Sequence, residues 1–338
     1  MRNPLVTVPA LPLIIDVDTG IDDSLALLYA CASPEAEIVA VTCVSGNVAA
    51  WQVVRNTLGV LQLCGRSDIE VALGREVPLV RPLMTAPETH GPEGIGYASL
   101  PEPNRNVSER HAADLMVAEA RRRPAEVTLI TLGPLTNLAV ALLREPELPL
   151  MLRGLVMMAG SYRSAGNTAP TSEWNVCVDP EAMQVVLAGW AAHPQVPRPV
   201  VLGLDVTERA KMTPEHVAAL HHRAGDPADA AVLTFIEDAL RFYMEFHSRY
   251  DGFYGAFIHD ALAVAAALDP SLIRTESLPV QVELGGMYTT GETVTDWRRA
   301  WGREPNLDVA VQADVEAFFE RFIDRVGGLA AAHRNVAL

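Results

Sequence analysis

The sequence predicts an α/β fold: a mostly parallel central β-sheet flanked by helices, with the active site at the C-terminal ends of the strands. Three observations carry this. Short apolar runs show no polar alternation, as in strands buried on both faces. Segments of helical period separate them, the pattern of parallel sheets. Polar residues recur immediately after the runs, where an open parallel sheet presents its ligand crevice. With 338 residues and 49% hydrophobic content the chain has enough apolar surface for a substantial core. No repeat or linker interrupts it, which favours a single domain over 1-338.

Leu13 to Asp18 read as the first strand, Thr19-Gly20 as a sharp turn, and Ile21 onward as a helix, because Ile21, Leu25, Leu28 and Tyr29 recur at helical spacing. A second run, Ile38 to Val44, stops at Ser45-Gly46-Asn47 and precedes a helix over Trp51 to Cys64. Ile69 to Leu73 is a short strand. The Pro- and Gly-rich stretch from Pro78 to Pro103 is then a long loop holding His90-Gly91-Pro92-Glu93; loops of that length are functional or lack order. Ser108 to Arg122 is helical, Val127 to Leu132 a strand, and Gly133-Pro134 the turn into a helix through Leu143. Leu155 to Ala159 is the next strand, and a polar connection runs from Ser161 to Asn175. Asp179-Pro180 starts a helix with Asp at the N-cap and Pro at the first helical position. Val200 to Leu204 ends at Asp205, which joins the polar residues expected around the site. A helix from about Ala228 to Tyr250, His259-Asp260 before an apolar helix, strands near Val280 to Leu284 and Leu307 to Val311, and a helix over Asp314 to Val326 complete the chain.

The most unusual stretch is Asp16-Val17-Asp18-Thr19-Gly20-Ile21-Asp22-Asp23, four carboxylates at a strand-to-helix corner. Strand alternation aims Asp16 and Asp18 the same way. A helix dipole contributes only roughly 0.3–1 kcal/mol per charge, too little to hold several acids near a low-dielectric core. Helix capping accounts for one such carboxylate rather than four. A cation is required, and for hard oxygen ligands it is Ca²⁺ or Mg²⁺, with Ca²⁺ better suited to an all-protein oxygen cage.

A net charge of -16 argues against a nucleic-acid surface. Lys211 is the only lysine, so 25 of the 26 basic residues are arginine and lysine chemistry is nearly excluded. Cys31, Cys43, Cys64 and Cys177 lie singly in apolar segments, as core thiols of a reducing compartment do. The start imitates a signal peptide, but Pro4, Pro9 and Pro12 break it, and no run is long enough to span a membrane. A cytoplasmic protein is expected.

The motif D-x-D-x-G-x-D-D at Asp16 to Asp23 resembles the amino-terminal signature of the inosine-uridine nucleoside hydrolase family. The resemblance continues in the family's order through Gly46-Asn47, His90-Gly91, Gly133-Pro134-Leu135-Thr136-Asn137, Gly166-Asn167, Glu173-Trp174-Asn175, Asp179-Pro180-Glu181 and His259-Asp260. It implies one nucleoside hydrolase domain that hydrolyses the N-glycosidic bond of ribonucleosides with bound Ca²⁺, in a homodimer or homotetramer. It further implies that Asp18, Asp23, Asp260 and the backbone carbonyl of Leu132 ligate Ca²⁺, and that Asp18 takes the proton of a calcium-held water. Asp22 and Asn175 would bind the 2'-hydroxyl side of the ribose, Asn167 and Glu173 the 5'-hydroxyl, and Asn47 would support the sugar. His259 would assist departure of the base, with His90 and His247 also touching substrate and Asp16 standing behind the ligands. Thr19 replaces a proline common in the family, and Pro92-Glu93 alters the loop after His90.

Two rival readings compete. Ile14-Ile15-Asp16-Val17-Asp18-Thr19 also resembles the motif of haloacid-dehalogenase-like Mg²⁺ phosphatases, with Asp16 as nucleophile, but those enzymes generally need a lysine that Lys211 is poorly placed to supply. A non-catalytic Ca²⁺- or nucleoside-binding protein would be expected to lose Asp18 or His259, and both are present.

Overall fold

The computed structural model describes residues 10–225 and 230–332, so the leader-like start at 1–9 and the expected helix start near Ala228 lie outside the described residues. Its main sheet has eight strands. Six of them are β1 (Leu11–Val17), β2 (Ala36–Cys43), β3 (Glu70–Leu73), β4 (Thr128–Thr131), β5 (Gly154–Met158) and β6 (Val200–Leu202). Their spatial order is β3-β2-β1-β4-β5-β6, followed by Leu307–Ala313 and Ile273–Leu278. Every neighbouring pair is parallel except the last, where Ile273–Leu278 forms an antiparallel edge.

Alternation along β1 supplies both faces: Leu13, Ile15 and Val17 enter one hydrophobic core and Ile14 the other. Helix α1 (Ile21–Ala32) leaves β1 onto the first face, beside the helices Asp260–Leu268 and Val315–Ala332. The helix Thr136–Arg144 leaves β4 onto the opposite face, between Ala112–Arg122 and Pro180–Ala191. The order of strands therefore reverses between β1 and β4, which opens a crevice at their carboxyl ends. Register fixes what meets there. Asp16 lies opposite Thr131, and the Leu132 N–H donates to the Asp16 carbonyl at 2.8 Å, so Asp18 and Leu132 emerge side by side.

Several sequence expectations need correction. The strand at Val280–Val282 pairs with Thr293–Thr295 in a separate antiparallel ribbon, outside the main sheet. The edge strand Ile273–Leu278 reads Ile-Arg-Thr-Glu-Ser-Leu and has no apolar run to announce it. The loop after β3 contains a short helix, Pro87–His90. Asp205 does not belong to the site: its carboxylate accepts from the backbone N–H groups of Tyr162, Arg163 and Ser164 and holds that turn. The last helix runs on to Ala332 because its apolar face continues, with Phe318, Phe322 and Val326 fully buried.

That helix is locked to α1 through Tyr29, whose ring stacks on Phe322 with centroids 5.8 Å apart and planes 2° from parallel. Arg325 donates to the Tyr29 hydroxyl at 2.7 Å and to Ser33 at 2.9 Å. Truncation at this contact leaves a cavity in a close-packed region. Phe322→Ala should lower the unfolding free energy by about 3–5 kcal/mol in urea titrations; a loss below about 1 kcal/mol would contradict this packing.

Candidate active site

A cavity of about 740 Å³ opens at the carboxyl ends of the strands. Its floor carries Asp18, Asp22, Asn47, Leu132, Asn175 and Asp260, and its walls carry His90, Asn167, Glu173, His247 and His259. Asp23 lies just beneath. The cavity thus brings together residues from stretches as distant as Asp22 and Asp260, while Asp23, Asp16 and Asp205 do not line it.

Backbone donors hold Asp18, Asp22 and Asp23. The Asp18 carboxylate accepts from the Asn47 N–H at 2.8 Å and fits between two glycines. A Cβ at Gly46 would come within 2.1 Å of Asp18 Oδ2, and one at Gly133 within 2.7 Å of Oδ1. Asp23 sits at the third position of α1 and accepts from the N–H groups of Gly20 and Asp18, both at 3.0 Å, while Asn47 Nδ2 reaches it at 3.2 Å. Asp22 Oδ2 accepts from the N–H groups of His259 at 2.8 Å and Asp260 at 3.1 Å. Asp22 therefore caps the helix Asp260–Leu268, and Asp260, the first residue of that helix, does not serve as its cap. The capping and ligand readings of the cluster are not exclusive, since each carboxylate has several lone pairs. Asp22 Oδ1 remains buried without any partner.

Around the cavity the amides are equally constrained. Asn175 Nδ2 donates to the carbonyls of Leu132 at 2.7 Å and Met158 at 3.0 Å. Only the NH₂ end of an amide can serve two carbonyls, so Oδ1 is the atom Asn175 has free to accept. Glu173 accepts from Gly160, Asn175 and Val176 N–H groups at 2.8, 2.7 and 3.1 Å. Asn167 Oδ1 caps Trp174 N at 3.0 Å, which leaves its Nδ2 to donate at the exposed rim. Thr19, unusual at its turn, is explained by a 2.7 Å hydroxyl contact with Thr57 that ties the acid corner to the helix Ala50–Leu63.

Aromatic rings and imidazoles form the opposite wall: Tyr243, Phe246, Tyr250 and Phe257 accompany the three histidines. His90 Nδ1 accepts from the Ile21 N–H at 3.2 Å, and His259 Nδ1 lies 2.8 Å from the Thr207 hydroxyl. Phe246, Phe257, Glu208 and Asp251 line the cavity and were not singled out in the sequence. Of these, Asp251 had a readable signal, since it lies four residues beyond His247 on a helical pattern. Tyr254 stays half exposed outside the cavity. Asp16 also stays outside; Thr42 at 2.6 Å and Asn137 at 2.8 Å donate to its Oδ1, its Oδ2 is buried without a partner, and the fully buried side chain does not line the cavity where a phosphatase nucleophile would have to stand.

Electrostatics make this arrangement costly without a counter-charge. No lysine or arginine is among the described residues lining the cavity. Burial pushes Asp16 up to about 7 and Asp22 up to about 8, and it raises Asp18, Asp23 and Asp260 as well; repulsion from neighbouring acids adds to the rise at Asp18 and Asp260, while hydrogen-bond donors hold Asp23 back. Burial also pushes His90 and His259 down to about 3.

The family profile described as inosine-uridine preferring nucleoside hydrolase matches residues 13–320. The chain belongs to this family. It is 39% identical over 319 residues to a pyrimidine-specific ribonucleoside hydrolase RihA of Enterobacter sp. (strain 638), covering 94% of this chain and 98% of that one. Among solved structures it resembles a purine-preferring ribonucleoside hydrolase from Gardnerella vaginalis, with TM-score 0.87 and 30% identity over 95% and 99% of the two chains. An inosine-guanosine nucleoside hydrolase aligns with TM-score 0.82 and 31% identity over 93% and 98%. The enzyme hydrolyses the N-glycosidic bond of ribonucleosides.

The nucleoside hydrolase has a donor set that suits a hard divalent cation in its chemistry: buried carboxylates, a backbone carbonyl, no thiolate, and an Asp22 oxygen without a partner. The Asp18 and Asp23 carboxylates are held on N–H donors, and among the described residues no three His, Cys, Asp or Glu groups form a ready-made metal cage. No helix among the described residues is long and apolar enough to cross a membrane.

A pH dependence follows from the buried acids. They bind protons more tightly folded than unfolded, so their contribution to stability is present below the ordinary carboxylate range and is lost as pH rises through about 7 and 8. Urea unfolding in chelator should therefore give a smaller unfolding free energy at about pH 8 than at about pH 5, and millimolar Ca²⁺ should restore it at the higher pH. Equal stability at both values in chelator would contradict the balance of charge described.

Proposed function

We propose that this hydrolase is Ca²⁺-dependent, works in the cytoplasm as a homodimer or homotetramer, and uses Asp18 as its general base. The observation that carries the reading is the convergence of Asp18, Asp22, Asn175 and Asp260 on one cavity with no lysine or arginine among the described residues lining it. Asp18, Asp23 and Asp260 would hold the cation with the Leu132 carbonyl, whose second lone pair is open beside the Asn175 amide. When bound there, a divalent cation relieves the repulsion among the acids and supplies Lewis acidity toward the attacking oxygen.

The side chains then divide the work. Asp18, shielded from water on two sides by Gly46 and Gly133, takes a proton from the attacking water. Asp22 Oδ1 and Asn175 Oδ1 accept from the ribose hydroxyls, and Asn167 Nδ2 with Glu173 holds the 5'-hydroxyl. Departure of the base leaves positive charge on the ribosyl ring, which the fixed carboxylates stabilise without having to reorganise. His259, oriented by Thr207, offers its far ring nitrogen to the departing base. Between base classes, the 39% identity to a pyrimidine-specific relative, against 30% and 31% to the purine-acting structures, supports pyrimidine ribonucleosides as the favoured substrates.

Free ribose measured after incubation with uridine, cytidine, inosine and adenosine tests this directly. Uridine or cytidine should be turned over fastest, chelator should stop the reaction, and Asp18→Asn should lower kcat by about 10²–10⁴-fold with an unchanged unfolding midpoint. A chelator-resistant activity, or a nearly fully active Asp18→Asn enzyme, would sink the assignment.

A further inference from the structure

Outside the cavity, two of the four cysteines meet. Cys31 lies in the last turn of α1, and Cys64 ends the helix Ala50–Leu63, which packs against α1. The Cys64 thiol is in hydrogen-bond contact with that of Cys31, and both are free. They share one hydrophobic cluster, with Cys64 inside it at 3% exposure and Cys31 half-buried at its edge. Neither lines the cavity. The other two cysteines stand apart, since Cys43 meets Thr57 and the Cys177 backbone lies against Gly291.

The surroundings decide what such a pair can do. The Arg66 guanidinium lies near enough to both sulfurs to be stabilised by their charge, and Asp68 holds it at 2.9 and 3.1 Å. A positive charge fixed there opposes a metal cation, and two thiolates supply only half of a tetrahedral shell. Among the described residues no further His, Cys, Asp or Glu joins them to make a metal site. The same charge suits a thiolate, the reactive form of a cysteine. The two sulfurs are also unequal. Contact with Cys31, and then burial, push the Cys64 thiol well above its ordinary range, whereas Cys31 reaches solvent. An oxidant therefore meets Cys31 first, with Cys64 held behind it. A disulfide needs the sulfurs to close to about 2 Å. Rotation about the Cα–Cβ bonds supplies that step where each cysteine sits at the end of its helix.

We propose that Cys31 and Cys64 are a peroxide-sensitive dithiol that closes to a reversible disulfide between α1 and the helix Ala50–Leu63. The Cys31 thiolate attacks a hydroperoxide, whose O–O bond breaks; the departing oxygen takes up a proton and leaves as an alcohol or water, and Cys31 becomes a sulfenic acid. The Cys64 sulfur then attacks the Cys31 sulfur, the S–O bond breaks, and the hydroxyl leaves as water with the Cys64 proton. Two thiols are oxidised and one hydroperoxide is reduced, and a thiol reductant reverses the bond. The loop so closed contains β2, Asn47 and Thr57, whose hydroxyl meets Thr19 at the acid corner. The disulfide thus braces that corner from behind without entering the cavity. Transient bonds of this kind are the ones found in reducing compartments.

The test exposes the reduced protein to hydrogen peroxide, blocks the remaining thiols by alkylation and maps the peptides. A pair joined through Cys31 and Cys64 is expected, with two of the four thiols lost to titration in denaturant and both restored by dithiothreitol. Closure should lower the unfolding constant in urea by about tenfold or more. Cys64→Ser should hold Cys31 as a sulfenic acid that dimedone captures, while Cys31→Ser should leave Cys64 unreactive. Four thiols surviving peroxide, a bond to Cys43 or Cys177 or between chains, or dimedone capture at Cys64 in place of Cys31 would overturn the proposal. The peptide map needs only the wild type, so it decides the matter even if neither variant folds.

Discussion

Two hydrogen bonds, from the N–H groups of His259 and Asp260 to Asp22, join the opening of the chain to its last third. The rest of the site depends on them. Asp22 follows β1 and Asp260 begins a helix from the far end of the sequence, so each bond aligns an element the other cannot reach locally. By using one oxygen of Asp22 as a cap, the fold leaves the other without a partner and sets Asp260 beside Asp18 and Asp23. A helix cap is ordinarily worth about 0.5–2 kcal/mol; here the same contact also fixes the geometry of a reaction site.

The acids could not be assembled more cheaply. Each is buried, each has a raised proton affinity, and no lysine or arginine among the described residues lines the cavity to balance them. Backbone N–H groups from Gly20, Asn47, His259 and Asp260 compensate part of that cost as fixed dipoles. The remainder is an electrostatic demand for positive charge, which in the proposed mechanism a cation would meet first and a ribosyl ring, cationic as its bond to the base breaks, would meet next. Strain between acids at rest and stabilisation of the transition state are thus two aspects of one arrangement.

Much of this was legible in the sequence, for reasons particular to its residues. Apolar runs such as Leu13 to Val17 and Val127 to Leu132 announce buried parallel strands, and an acid cluster directly behind one of them has few interpretations. What escaped was whatever depends on partners remote in the chain. Asp205 looks like another strand-end ligand, and only the Tyr162 to Ser164 turn reveals it as a turn-holding residue. The strand Ile273–Leu278 carries mostly polar residues because it is an edge, and its pairing with Leu307–Ala313 defines it. Asp260 reads locally as a cap, yet its helix is capped by a residue more than two hundred positions earlier. The aromatic wall was half visible, since ring spacing on one helix does not tell cavity from core.

The account's central claim is that carboxylates from separate stretches, aligned through Asp22, make one cation site. Isothermal titration of the chelator-stripped protein with Ca²⁺ tests it without reference to turnover. One site per chain is expected, weakened by about tenfold or more in Asp260→Asn, where the fold keeps its helix but loses a charge from the site. Absence of Ca²⁺ binding by the folded wild type, or equal affinity in Asp260→Asn, would contradict it.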